Sequence, residues 1–174
     1  KFGIAHAPAP ETGSVVHIAV DKQYAGYILI ADAIKADAKA TIAGLKARGI
    51  RTIMLTGDSR AVGEAVGKEI GIDEVHSELL PQDKVTKLEE VLASKRKGEK
   101  VIFVGDGIND TPVLARSDIG MAMGGLGSDA AIEAADIVIM DDQPSKILTA
   151  MDVAKETRKI VWQNIIFAMA VKGL

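Results

Sequence analysis

The sequence contains no cysteine, which excludes a disulfide framework and a thiolate metal site and fits a reducing compartment. It has no basic tract. Its 21 Lys and Arg residues are spread along the chain against 24 Asp and Glu, for a formal net charge of -3. A nucleic-acid surface needs basic residues gathered on one face, so this distribution argues against nucleic acid as a partner. Residues 1–13, KFGIAHAPAPETG, lack a charged-then-apolar signal pattern and an initiator Met, so the chain reads as cut from something longer. No long apolar run is present either: Ile160 to Leu174 becomes continuously apolar only as the sequence stops. A spanning helix needs about 20 mainly apolar residues. The segment is therefore either a core helix or the first turns of a truncated membrane helix. There is no internal repeat and no low-complexity segment, although residues 7–13 have linker composition. At 174 residues the chain holds one domain, or one domain and part of a second.

What is present alternates. Val15–Val20 and Tyr24–Ile30 are β-rich runs separated by a hairpin-length gap. Ile34, Ala38, Ile42 and Leu45 fall at helical spacing across residues 35–48, and Gly49 closes that helix. Ile50–Leu55 reads as a strand, followed by TGDS (residues 56–59) and a helix over 60–70. Pro81 opens another helix that runs to the basic end Lys95–Lys97 before Gly98. Val101–Val104, Ile119–Met123 and Ile137–Met140 read as further strands, with a short helix after each of the first two. Strands alternating with helices predict an α/β domain with a mostly parallel, Rossmann-like sheet. Functional loops in such sheets leave the carboxyl ends of the strands. TGDS and GDGIND (residues 105–110) are therefore expected on the same edge.

Three stretches carry candidate chemistry. Thr56, Gly57, Asp58 and Ser59 sit at a strand-to-helix turn, where free N–H groups and the helix dipole favour an anion such as phosphate; a plain turn with Ser59 as N-cap is the competing reading. Lys84, in LPQDK, stands in the first turn of its helix, a poor place for a cation. It is either solvated surface or a charge aimed at a phosphoryl group. Asp106 and Asp110 follow a buried strand across a glycine-rich turn. Buried carboxylates need a cation or donors, and Mg²⁺ prefers one or two carboxylates together with waters and phosphate oxygens. The alternative for Asp110 is to cap a helix starting near Thr111–Pro112. The glycine-rich run at 120–129 matches neither a P-loop nor a dinucleotide spacing; it reads as a close-packed turn with Ser128 or Asp129 capping the next helix.

TGDS, the lysine of LPQDK and GDGINDTPVL, in this order, resemble the second, third and fourth motifs of the haloacid-dehalogenase superfamily as P-type ATPases carry them. Residues 121–140 resemble the segment that follows in heavy-metal pumps, and the likeness covers roughly residues 14–174. The resemblance implies that Asp106 is the protein's Mg²⁺ ligand with Asp110 a second possible one, and that Asn109 and Asp110 shape the phosphate site. It further implies that Lys84 contacts the phosphoryl group and that Thr56, Gly57 and Asp58 hold phosphate and nucleotide, with ATP as the phosphoryl source. Residues 1–31 resemble the tail of the nucleotide-binding domain, residues 32–155 part of the phosphorylation domain, and residues 156–174 the start of a membrane-directed helix. The family usually has proline where this chain has Ala36. VWQN (161–164) followed by Val171, Lys172 and Gly173 is similar to zinc and cadmium exporters, which makes Lys172 a candidate at the transported ion's site, because an intramembrane charge is costly and usually functional. A snorkelling lysine at a helix end is its other reading.

The family's nucleophile, the aspartate of an Asp-Lys-Thr-Gly-Thr motif, has no counterpart in these residues, nor has its Ser-Glu-His-Pro motif. By the resemblance the nucleophile strand stands between the TGD and GDG strands. The sheet is thus expected to lack its middle strand and to leave neighbouring edges unpaired. That implies a chain that is unstable alone, pairs with a copy, or belongs to a longer polypeptide supplying the nucleophile strand, nucleotide-binding domain and membrane helices. The expected function is ATP-driven export of a divalent metal by a parent in the cell membrane, with this region on the cytoplasmic face. The alternatives are a soluble phosphatase of the same superfamily, which would need its own nucleophile motif, and a non-catalytic Mg²⁺- or phosphate-binding module.

Overall fold

The computed structural model describes residues 14–30, 33–105, 108–124 and 129–173. An antiparallel hairpin, β1 (Ser14–Val20) and β2 (Gln23–Ile30), comes first and forms a sheet of its own. Then follow α1 (Ala38–Ala47), β3 (Ile53–Leu55), α2 (Arg60–Ile70), β4 (Glu74–His76) and α3 (Pro81–Ser94). The second half runs β5 (Ile102–Gly105), a 3-10 turn (Ile108–Asp110), α4 (Thr111–Leu114), β6 (Ile119–Met123), α5 (Asp129–Ala134), β7 (Ile137–Ile139) and α6 (Lys146–Lys172).

The α/β reading holds, and the parallel sheet comes in two pieces. β3 pairs with β4, and β5, β6 and β7 pair in that order. Among the described residues no ladder joins β3 to β5, the place where the missing nucleophile strand was expected. The core sits in the second piece: Met121, Met123 and Ile139 are buried, with Ile102, Val104, Ile137, Ile147 and Ala150 packed on them. Val113 and Leu114 of α4 are fully buried as well. β3 and β4 are only half-buried.

Register is pinned by one device used three times. An aspartate stands immediately before each of β4, β6 and β7, and its carboxylate accepts a backbone N–H at the start of the neighbouring strand. Asp73 takes Thr52 N at 2.9 Å, Asp118 takes Val101 N at 2.9 Å and Asp136 takes Gly120 N at 2.8 Å. Buried strand ends would otherwise leave those donors unpaired. Two of the aspartates also hold a lysine: Lys46 lies 2.6 Å from Asp73, and Lys95 lies 2.5 Å from Asp118. A one-residue slip would turn every side chain to the wrong face, so these contacts select the pairing as well as strengthen it.

α2 lies close against β4 because its buried glycines, Gly63 and Gly67, are one turn apart. A Cβ at either would overlap Ser77 Oγ or Val75 Cγ2. Each glycine costs about 1 kcal/mol of helix propensity relative to alanine, which the close approach offsets.

Beyond its first two turns the C-terminal helix does not pack on the core. α6 has no buried residue, and every residue from Asp152 to Gly173 is exposed. Among the described residues no helix is long and apolar enough to cross a membrane. The helix is continuous across residues 155 and 156, where the sequence reading divides phosphorylation domain from membrane-directed helix.

Lys46 first, then the Thr52 backbone and hydroxyl, hold the Asp73 carboxyl at about 2; Lys95 and the Val101 N–H hold Asp118 at about 2. Both lie below their unfolded value of 3.8. Their stabilisation is fully present above that value and is lost as pH falls from about 4 to about 2. Urea melts across this window should show falling stability in the native chain and a shallower fall in Asp118→Asn.

Candidate functional site

The two acidic strand exits leave the carboxyl ends of β3 and β5, as a parallel sheet requires. After β3, Thr56 Oγ1 donates to Asp58 Oδ2 at 2.8 Å and accepts Asp58 N at 3.1 Å, which closes the turn on itself. Gly57 and Asp58 are exposed. A Cβ on Gly57 would stand 3.3 Å from the Leu79 carbonyl oxygen. Ser59 takes the N-cap position of α2 but makes no side-chain cap hydrogen bond.

The segment between β4 and α3 is fastened to this turn. Glu78 N donates to Asp58 O at 2.8 Å, and Leu79 N donates to Thr56 O at 3.1 Å. Glu78 adopts φ +60, a left-handed conformation that costs a non-glycine residue roughly 1–2 kcal/mol. The strain brings the chain back over the TGD turn just before α3 begins. Asp83 then accepts Leu80 N at 2.9 Å, anchoring the first turn, and one residue later Lys84 projects from it.

Lys84 is paired and not freely solvated. Its Nζ donates to Asp110 Oδ1 at 2.9 Å, and the two side chains are only 20% and 13% exposed. Asp110 occupies the N-cap position of α4, yet its side chain caps nothing there; it is turned to the lysine. Gly105 leaves room for this, since a Cβ there would lie 2.9 Å from Asp110 Cβ and 3.0 Å from its Oδ2. Asn109 is exposed in the 3-10 turn beside it.

Hydrogen bonds and chain continuity therefore link Thr56 and Asp58 through Glu78 and Leu79 to Lys84 and on to Asp110. Sequence reasoning missed Glu78 and Leu79, which have no motif character; the positive φ and the backbone bonds identify them. Asp106 and Ser128 lie outside the described residues. Asp129 begins α5. Lys172 is not part of the assembly: it is exposed in the last turn of α6, about 30 Å along the helix from Asp152.

A cation with an adjacent carboxylate at a sheet's carboxyl edge can hold a phosphoryl group and a hard metal together. Among the described residues no three His, Cys, Asp or Glu side chains gather as a metal cage. One or two carboxylates completed by waters and phosphate oxygens is the donor set Mg²⁺ takes, and Asp110 fits that role.

A family model for haloacid dehalogenase-like hydrolases matches residues 4–118. The chain is 63% identical over 172 residues to the cadmium, zinc and cobalt-transporting ATPase of Bacillus subtilis, covering 98% of this chain and 24% of that protein. It is 55% identical over 172 residues to the zinc-transporting ATPase of Synechocystis sp., with the same coverage of 98% and 24%. A crystal structure of a zinc-transporting PIB-type ATPase in the E2.Pi state aligns with a TM-score of 0.76 at 33% identity, covering 91% of this chain and 25% of that one. The chain thus spans about a quarter of the length of the relatives it matches.

Removing Lys84 strands a largely buried carboxylate, 13% exposed. Lys84→Met should destabilise the domain by about 2 kcal/mol, and the double variant Lys84→Met/Asp110→Leu by less than the sum of the single changes. Denaturant melts in a double-mutant cycle measure both.

Proposed function

The chain belongs to the haloacid dehalogenase-like hydrolases, and on that premise we propose that it is the carboxyl-terminal part of the phosphorylation domain of a P-type ATPase exporting a divalent heavy metal, zinc or cadmium. The observation that carries the reading is the Lys84–Asp110 pair, 2.9 Å apart at the carboxyl edge of a parallel sheet in which, among the described residues, no ladder bridges the place between β3 and β5. A strand ending in the acceptor aspartate fits that place, and its carboxylate would emerge between the TGD turn and Lys84. The transporter names and the 98% coverage of this chain support the reading. They disfavour a free-standing phosphatase.

In the proposed reaction the acceptor carboxylate attacks the γ-phosphorus of ATP, the bond to the β-phosphate oxygen breaks, and ADP leaves. Lys84 offsets charge on the transferring phosphoryl oxygens. Asp110 holds the lysine's ammonium in place, so little reorganisation is needed when the phosphoryl group arrives. Asn109 and the Thr56–Asp58 turn border the same edge, with Gly57 allowing close approach. Mg²⁺, held by Asp106 and Asp110, would supply charge neutralisation at the phosphoryl group. The parent's other segments supply nucleotide binding and the metal pathway in the membrane; Lys172 lies on the side of the ion pathway and not of the phosphoryl site. This region then lies at the cytoplasmic face of a membrane protein.

Radioactive ATP tests the proposal. The longer polypeptide should form an acid-stable aspartyl phosphate that depends on zinc or cadmium, and Lys84→Ala should slow its formation about 100-fold. The 174-residue chain should take no label. Labelling of that chain alone would overturn the assignment.

A further inference from the structure

α6 is a lever fixed only at its base. Of its 27 residues, those from Asp152 onward are exposed, so its direction is set by the first two turns. Ile147 and Ala150 pack on the Met121, Met123 and Ile139 cluster. Further contacts come from one segment 100 or more positions earlier in sequence. The Asp37 carboxylate accepts the backbone N–H of Ser145, the N-cap residue of α6, at 2.8 Å. Lys35 pairs with Asp142 in the turn before it. Leu148 lies over Gly44, where a Cβ would come within 2.8 Å of Leu148 Cδ1. Arg48 donates to Asp152 Oδ2 at 3.0 Å and to the Leu148 carbonyl at 3.4 Å.

Asp37 is the centre of this set. It occupies the N-cap position of α1, yet its side chain does not cap that helix. It sits instead at the amino end of α6, where a carboxylate is favoured by free N–H groups and the helix dipole. Its backbone carbonyl meanwhile accepts Thr41 N at 2.9 Å and Thr41 Oγ1 at 2.8 Å. One residue thus ties the starts of two helices. The Ser145 hydrogen bonds hold its carboxyl below the usual carboxylate range.

We propose that Lys35, Asp37 and Arg48 form a latch that sets the direction of α6 from the segment following the β1–β2 hairpin, with Asp37 as its principal positioning residue. The exposed part of α6 is about 30 Å long, so a change of about 10° at the base displaces its end by about 5 Å. Residues 33–37 lie between the hairpin and α1, so a movement entering there reaches α6 through these contacts without passing through the sheet. Resting on the function proposed above, the latch couples nucleotide-domain motion to the membrane-directed helix, and Asp37 acts on that coupling and not on phosphoryl transfer.

The test uses the full polypeptide containing this chain. By hydrogen exchange and mass spectrometry, Asp37→Ala should speed exchange across residues 145–150 about tenfold and leave β5 and β6 peptides unchanged. Asp37→Asn, which keeps an acceptor, should restore slow exchange, and Arg48→Gln provides an independent variant if Asp37→Ala fails to fold. Unchanged exchange at 145–150, or equal acceleration in the sheet, overturns the latch. In the same variant, phosphorylation by ATP should stay within about twofold of native while metal-stimulated turnover falls about tenfold. Equal losses, or no loss, overturn the coupling. A native polypeptide that takes no phosphate refutes the proposed function, and the exchange result still decides the latch.

Discussion

A strand inside a parallel sheet needs a neighbour on each edge, because alternate residues direct their N–H and C=O groups to opposite sides. In β3, Thr52 O and Thr56 N bond to β4, which turns the backbone groups of Ile53 and Leu55 the other way. In β5, Val101 O accepts from β6, and Ile102 and Val104 face away from it. Among the described residues the two half-sheets therefore present unpaired edges. That constraint bears on the rest of the molecule: the main hydrophobic cluster lies on the β5–β7 side, β3 and β4 are half-buried, and Lys84–Asp110 is one of the contacts that join the two pieces, beside those of residues 35–48 with the base of α6.

The ion pair allows the proposed phosphoryl site to be preformed while the sheet is divided. A buried carboxylate without a partner is costly, and a lysine in the first turn of a helix opposes the helix dipole. Each group removes the other's penalty. Their contact also holds α3 to the 3-10 turn after β5, so the ion pair contributes to joining the half-sheets as well as to the electrostatics of the site. The aspartates before β4, β6 and β7 do the corresponding work at the opposite, amino-terminal edge, where they fix register without entering the chemistry.

Elements with strong punctuation were legible in the sequence. α2 begins after TGDS and ends at Gly71, in the left-handed conformation glycine favours, and β6 has a continuous apolar pattern. Where tertiary contacts decide, the local pattern does not mark the element's bounds. β4 escaped notice because Glu74, Val75 and His76 have no apolar run; pairing with β3 and the Asp73 pin create it. β3 is shorter than residues 50–55 because Ile50 N is taken by Leu45 O at the end of α1. α3 stops at Ser94, short of the basic run, since Lys95 reaches across to Asp118. α1 starts at Ala38 and not near Lys35, which is engaged with Asp142. At the site, motif spacing marked Lys84 and Asp110, but left helix capping and metal binding open for Asp110. Only the fold shows its carboxylate facing a lysine 26 positions away. Glu78 and Leu79 act through backbone atoms, which leave no trace in side-chain patterns.

On the proposed function, a strand from elsewhere in the polypeptide fills the place between β3 and β5. Residue-resolved amide exchange at Ile53, Leu55, Ile102 and Val104, compared between the 174-residue chain and a longer polypeptide with its preceding segments, tests it directly. These four amides should become strongly protected only in the longer polypeptide, while those of Met54 and Phe103, which face existing neighbours, change little. Equal exchange at the four positions in both would contradict it.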